Sequence, residues 1–510
     1  MNTSIKKKLE NNKYLLLGHL TFLVLGVFSC IFVYERVLFI DSGNQVFHFI
    51  QHESFEIYDQ RYSMYFFQLL PVFLIKLHAP LAVVIYSYSL SFLIIAYTLW
   101  LITVYFLKNQ SIGILMLFVM LGIRQTFFHA ISETFQLMFF ACFLYAWLFQ
   151  KRDYLSVLGQ IVYYFITLLF IALCIFIHPV AIFFVLFILG MYILDKEKKN
   201  LSKIILTIIS LGIILLKFLT TKEGSRDATF LVDIPAFFER LSRLLKLNPA
   251  KWFFDEMIDF YWFPLLMFVL LLIFYFKKKK YLHFVFIFCF IIGFWLISVI
   301  IYAWESAVVG LERTFLPLFF FCGLPFITEI FPLLSKKWDK VFFILLTVLI
   351  IGGFIKIAVA SKPYTRRLDK MEEIANLAKK EGKMKILIEL STAEELFSPR
   401  SWGVNMLKDI SLRDLFCGNN WGMGFESILY TALKGKDSIV NIYVMENQNY
   451  KEEMSFVDPD IYFGVWWWIF WPIDELSPYY FKMPKQPASL LVLEDGKMRL
   501  KDIEIIPKEE

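Results

Sequence analysis

From residue 14 to residue 360 the chain alternates long apolar runs with short polar connectors. The runs cover residues 14–34, 81–107, 111–123, 134–149, 154–177, 180–194, 201–219, 261–276, 281–303, 314–334 and 341–360. Most are too long and too continuously apolar for strands, so they predict about eleven membrane-spanning helices, several shorter than the ~20 residues an upright span needs. Residues 62–77 are also apolar, but Pro71 interrupts them and they end in KLHAP. A span there would carry Lys108 and the Lys151–Arg152 pair to the wrong face of the membrane, so this stretch predicts a helix lying at the interface. The connectors then sort by charge. Lys6–Lys8, Lys108, QKRD at 150–153, DKEKKN at 195–200, Lys277–Lys280 and KKWDK at 336–340 fall on one face, expected to be cytoplasmic. Segments 41–80, 124–133, 220–260 and 304–313 fall on the other. The start of the chain reads as an uncleaved first span, with the N-terminus in the cytoplasm.

From residue 361 the pattern changes. Residues 371–381 predict a helix, 384–390 and 438–445 strands, and 490–500 a hairpin turning at Asp495-Gly496. The expected fold is therefore mainly α: a polytopic helix bundle over residues 1–360 and a small α/β domain over 361–510, which an odd span count places outside the cytoplasm. Its aromatic run FGVWWWIFW (463–471) suits a domain resting on the membrane or on the outer segments. No repeat of fixed period is visible.

Composition strengthens the membrane reading. The 510 residues are 58% hydrophobic and 19% aromatic, above the usual range of soluble domains. The net charge of +6 is spread through connectors, a topology signal rather than a nucleic-acid footprint. Of six cysteines only Cys417 lies in a polar region, which argues against a disulfide framework or a Cys-rich metal site. The Phe- and Lys-rich usage is that of an AT-rich bacterial genome, a matter of composition only; the expected location is a bacterial inner membrane.

Candidate chemistry gathers in the outer segments. DSGNQVFHFIQHESFEIYDQR (41–61) carries Asp41, His48, His52, Glu53, Glu56, Asp59 and Arg61, and Asp41 closes the first apolar run. In RQTFFHAISE (124–133), Gln125, His129 and Glu133 recur every four residues and would share a face if helical. WESAVVGLER (304–313) adds Glu305, Glu312 and Arg313. Ionisable groups at a membrane boundary commonly mark function, although solvated loop residues near headgroups give the same pattern. DIPAFFERLSRLLKL (233–247) predicts an amphipathic helix with Arg240, Arg243 and Lys246 on its basic side, suited to anionic headgroups or to a lid over a carrier phosphate. His48 and His52, with Asp41 or Glu53, have spacing compatible with a divalent metal, but no metal is required. The Gly- and Asn-rich GNNWGMGFES (418–427) follows no strand. It suits a sugar-binding loop or a turn packed on Trp421.

Asp41 at the outer end of the first span, the interfacial stretch YSMYFFQLLPVFLIKLHAP, Ser132-Glu133 opening SETFQLMFFACFLYAW, and Arg313 in ERTFLPLFFF together resemble the GT-C superfamily of polytopic glycosyltransferases. The resemblance covers residues 16–360 and rests on spacing and topology. Ser42 follows Asp41 where protein O-mannosyltransferases and lipid A aminoarabinose transferases often carry a second acid, which sets the chain apart from those two subfamilies. The resemblance implies an enzyme that moves a sugar, with inversion, from a polyprenyl-phosphate carrier to an envelope acceptor, without an obligatory metal. Asp41 would be the general base and Arg313 the phosphate clamp. Arg61, Arg124, Glu133, His129 and Glu305 would line the substrate site. The competing expectations are a transporter or flippase for an envelope lipid, and a non-catalytic envelope assembly protein.

Overall fold

The computed structural model describes residues 12–58, 61–123, 125–150, 156–195, 200–221, 234–259, 262–303, 315–397, 420–445, 457–465 and 468–503. Its helices begin with α1 (Asn12–Ile31), the short α2 (Val33–Val37), α3 (Ile40–His52), α4 (Met64–Lys76) and α5 (Leu81–Leu101). Then come α6 (Gln110–Val119), α7 (Glu133–Leu148), α8 (Val157–Ile175), α9 (Ala181–Leu194) and α10 (Asn200–Thr220). α11 (Ile234–Ser242), α12 (Asn248–Asp259), α13 (Trp262–Lys277), α14 (Tyr281–Ile301), α15 (Pro317–Pro325) and α16 (Lys336–Glu381) complete the bundle.

Among the described residues, six helices are long and apolar enough to cross a membrane: α1, α5 with its π-helical extension to Phe106, α8, α10, α14 and α16. α6, α7, α9, α13 and α15, the other expected spans, are shorter apolar helices, as is α4. α4 lies along α5 and buries Phe67, Gln68, Val72 and Ile75 while Tyr65, Phe66, Leu69 and Phe73 stay exposed. One-sided burial of an apolar helix is what an interfacial position requires.

α16 joins the two halves of the chain. At 46 residues it is about 70 Å long at the usual rise per residue. The expected boundary at residue 361 is not a break, and the expected 371–381 helix is the tail of this one. Polar residues enter the sequence there, but Leu368, Met371, Ile374, Ala375 and Ala378 keep a helical stripe that is buried. The helix closes at Gly382, where Gly382 N–H and Lys383 N–H donate to the carbonyls of Lys379 and Ala378, a Schellman cap.

Beyond it stand β1 (Lys385–Glu389), α17 (Leu390–Phe397), α18 (Met423–Ala432), β2 (Asn441–Met445), the hairpin β3 (Ile461–Val465) and β4 (Trp468–Pro472), then β5 (Ser489–Glu494) and β6 (Lys497–Asp502). The four-stranded sheet has the order β2-β1-β5-β6; β1 runs parallel to both neighbours, and β6 pairs antiparallel with β5. The expected hairpin turns at Asp495 (φ 51°) and Gly496 (φ 72°), two left-handed residues in succession as a type I′ turn requires.

Ion pairs fix which helix ends lie together. Lys13, at the start of α1, donates to Asp339 at the start of α16 (2.7 Å), and Tyr14 bonds the same carboxylate (2.9 Å). The far ends of these two helices lead to α3 and to the sheet, and α3 and α18 pack together there. Phe47 stacks on Phe425 at 4.3 Å, Gln51 accepts from Ser477 N–H at 2.9 Å, and the Tyr480 hydroxyl donates to Ala79 O at 3.0 Å. At its described end the aromatic run meets the outer segment that carries α3, one of the two expected resting places. Tyr462 and Phe463 are buried, and Trp471 packs on His48.

Candidate functional site

The segment between α1 and α3 folds back sharply. Ile40 has φ 34°, a left-handed conformation that a β-branched side chain resists. Gly43 passes so close to Leu38 that a Cβ there would lie 2.0 Å from Leu38 O. The tight turn places Asp41 in the first turn of α3, where the positive end of the helix dipole favours a carboxylate. Non-glycine residues held at positive φ concentrate at functional sites.

Two contacts tie this turn to the second outer segment. His129 Nε2 stands 3.2 Å from Asp41 Oδ2, with the imidazole buried and the carboxylate 20% exposed. The Ile131 N–H donates to Ser42 Oγ at 3.4 Å. Arg36 holds the same segment from beneath. It donates to Phe127 O at 2.8 Å and Ser89 Oγ at 3.0 Å, and its guanidinium lies 4.0 Å over the Phe127 ring. The expected single helix carrying Gln125, His129 and Glu133 does not form. A 3-10 turn spans Gln125–Phe128, residues 129–132 are irregular, and α7 starts at Glu133 with Ser132 as its N-cap residue. Hydrogen bonds from Ser132 N–H to His129 O and from His129 N–H to Thr126 O make local turns instead.

Arg61 Nη1 meets Glu133 Oε1, and both side chains are buried. The strand of chain leading to Arg61 is fastened by Gln68, which accepts from Glu56 N–H (2.8 Å) and donates to Glu56 O (2.7 Å). Gln45 donates to the same carbonyl at 3.3 Å and accepts from the Tyr88 hydroxyl. Tyr58 lies in this wall; burial, then the charges of Glu56 and Asp41, hold its phenol well above the ordinary range. His129 and Glu133 lie four positions apart on one segment, so the Asp41–His129 and Arg61–Glu133 pairs share it.

Of the residues expected from the sequence, Asp41, His129, Arg61 and Glu133 thus come together. Arg124, Glu305 and Arg313 lie outside the described residues. Arg240 donates to Ile300 O at 2.9 Å, capping the end of α14, while Arg243 pairs with Glu239 at 3.4 Å on the exposed side of α11. Lys246 follows in a 3-10 turn. The expected amphipathic helix over 233–247 ends at Ser242, so Arg240 lies within it while Arg243 and Lys246 fall beyond its end.

The His48/His52 pair is differently placed from a two-ligand metal site. The rings stack 5.6 Å apart, His52 Nδ1 contacts Glu56 Oε1, and His48 is buried against Phe425 and Trp471. Burial, then His52, push the His48 imidazole down to about 4. Among the described residues no group of three or more His, Cys, Asp or Glu is gathered as metal ligands.

Sequence reasoning passed over Arg367. Its guanidinium bonds both oxygens of Glu426 (2.8–3.1 Å) and Asn420 Oδ1 (2.9 Å), and lies 5.2 Å over the ring of Phe39, two residues before Asp41. The GNNWGMGFES segment is therefore structural where it is described: Asn420 and Glu426 hold Arg367, and Gly422 lies against the backbone of Ile40. The one available signal was a glutamate within an apolar helical stretch. No protein-family model, curated protein or solved structure matches this chain.

Proposed function

We propose that the protein is a membrane glycosyltransferase of the GT-C kind, with about eleven spans and its C-terminal α/β unit outside the cytoplasm of a bacterial cell. It takes a sugar from a polyprenyl-phosphate carrier on the outer face and passes it to an envelope acceptor. The observation that carries this reading is the partly exposed Asp41 carboxylate, fixed in a tight turn by buried His129 beside the buried Arg61–Glu133 pair.

In this reading the acceptor hydroxyl attacks the anomeric carbon and gives its proton to Asp41. The bond from that carbon to the phosphate oxygen breaks, and its electron pair leaves with the carrier phosphate. A carboxylate at hydrogen-bond reach of the nucleophile supplies general-base catalysis of roughly 10²–10⁴-fold. His129 orients the carboxylate. Arg61, whose planar guanidinium suits a phosphate, holds the leaving group by exchanging part of its contact with Glu133, and Arg313 is a second clamp from the third outer segment. The test incubates the purified protein with a panel of polyprenyl-phosphate sugars and acceptors and measures release of the carrier phosphate. Asp41→Asn is expected to lower turnover by about 10²–10⁴-fold with an unchanged melting temperature. Near-normal turnover by that variant removes Asp41 as the base, and no carrier release with any donor removes the transferase reading.

A further inference from the structure

At the end of the bundle away from Asp41, α13 and α14 are joined by four consecutive lysines, Lys277–Lys280, all exposed. Lys280 is matched by Glu329 (2.6 Å), which also accepts from the Tyr275 hydroxyl (2.9 Å). Lys277, Lys278 and Lys279 have no acidic partner among the described residues. Two recesses meet this turn. An apolar groove of about 370 Å³ is lined by Val269, Leu272, Ile273, Phe276 and Phe284, with Lys277 at its rim. On the other flank a wider recess of about 740 Å³, of mixed polar and apolar lining, presents Lys279, Lys280 and His283, together with Asp195 and Glu329. Of the two carboxylates there, Glu329 is matched by Lys280, while Lys203 donates to the backbone carbonyl of Asp195.

We infer that the α13–α14 hairpin is a binding site for an anionic phospholipid, with an acyl chain along the apolar groove and its phosphate against Lys277–Lys279. The charge complementarity is local: three cations without an acidic partner among the described residues stand where an apolar groove between two apolar helices opens. A free anion would use the lysines but not the groove, and a neutral lipid the groove but not the lysines. Exposed Phe276 lines the groove, and exposed Tyr281 and Leu282 line the neighbouring recess, aromatic and aliphatic side chains suited to headgroup depth. The inference is independent of the transferase reading, since it concerns the opposite end of the bundle and is read by binding.

The test uses the full-length protein in nanodiscs of phosphatidylcholine, titrated with labelled phosphatidylglycerol. Replacing Lys277, Lys278 and Lys279 together by Gln is expected to weaken saturable binding by about a hundredfold, on the basis of the usual contribution of a lysine near an anionic surface. Leu272→Trp, which fills the groove and leaves the lysines intact, is expected to weaken lipid binding at least tenfold. A matched control replaces Lys336, Lys337 and Lys340, three exposed lysines at the start of α16, and should leave the affinity within twofold. Equal loss in both triple variants would mean diffuse surface attraction and overturn the site. Competition by inorganic phosphate at millimolar concentration, or an unaffected Leu272→Trp, would make it a phosphate site and overturn the lipid assignment.

Discussion

The protein contains two buried arginine–glutamate pairs at the same end of the bundle, and their surroundings differ. Arg367 and Glu426 are each 1% exposed, joined by several bonds and closed over by Phe39 and Phe397. Arg61 and Glu133 are 9% and 7% exposed and stand beside Asp41, whose carboxylate reaches solvent. Saturated, sealed pairs specify packing, whereas a pair at the edge of an open site can exchange a partner for a ligand. In the proposed reading the comparison gives Arg367–Glu426 to architecture and Arg61–Glu133 to the substrate site.

Breaking each pair on one side is the harshest test. Arg367→Met leaves Glu426 buried without its cation and is expected to cost about 3–5 kcal/mol, seen as a lowered melting temperature and early proteolysis after residue 381. The sharper form replaces both partners. Arg367→Met with Glu426→Leu should return stability to near the starting value, since well-packed apolar residues often substitute for a buried pair, and turnover should return with it. Arg61→Met with Glu133→Leu should also keep the fold, yet turnover should stay at least a hundredfold down. Recovery of activity by the second double variant would erase the distinction between the pairs.

The next effect is a pH dependence on the structural side of the comparison. His48 belongs to the packing between α3 and the C-terminal unit, with a folded-state pKa of about 4 against an unfolded value near 6.5. Above pH 6.5 both states are neutral and the contribution is complete. Between pH 6.5 and 4 the unfolded chain binds the proton and the folded chain does not, so stability falls as pH falls. The loss by pH 4 is on the order of 3 kcal/mol, which follows from the shift itself. Denaturation midpoints across that window should show the slope, and His48→Phe should flatten it. Glu56 faces His52 rather than His48.

How much of this was legible in the sequence follows from the range of the interactions involved. The six long apolar helices, the shorter apolar helix α4, β1, β2 and the Asp495-Gly496 hairpin are local patterns, and these read directly. The fate of residues 361–381 was misread because charge was taken as a boundary, although Leu368, Met371 and Ile374 still carry helical spacing. The i, i+4 pattern of Gln125, His129 and Glu133 misled in the opposite direction, since Ser132 ends the regularity and starts a new helix at Glu133. Within the site, Asp41 stood out because it closes an apolar run, and Arg61 and Glu133 because they are charged at a membrane boundary. Their pairing joins residues 72 positions apart, and Arg367 meets Glu426 across 59, separations that no pattern along one chain encodes.

The smallest effect lies where the two regions touch. A Cβ at Gly422 would stand 3.1 Å from the Cα of Ile40, the left-handed residue preceding Asp41, so an added methyl presses on backbone rather than on a side chain that can rotate away. Overpacking of this kind costs roughly 1–3 kcal/mol where neighbours cannot move. The Asp41 turn is already held by Gly43 and Arg36, so part of the push should be relieved by a shift of the carboxylate relative to His129. Gly422→Ala is therefore expected to lower the melting temperature only slightly and reduce kcat about three- to tenfold with KM nearly constant, because loss restricted to kcat marks misplacement in the transition state rather than weaker substrate binding. A fall in melting temperature with unchanged kcat would mean that the C-terminal unit supports the fold without setting the geometry of Asp41.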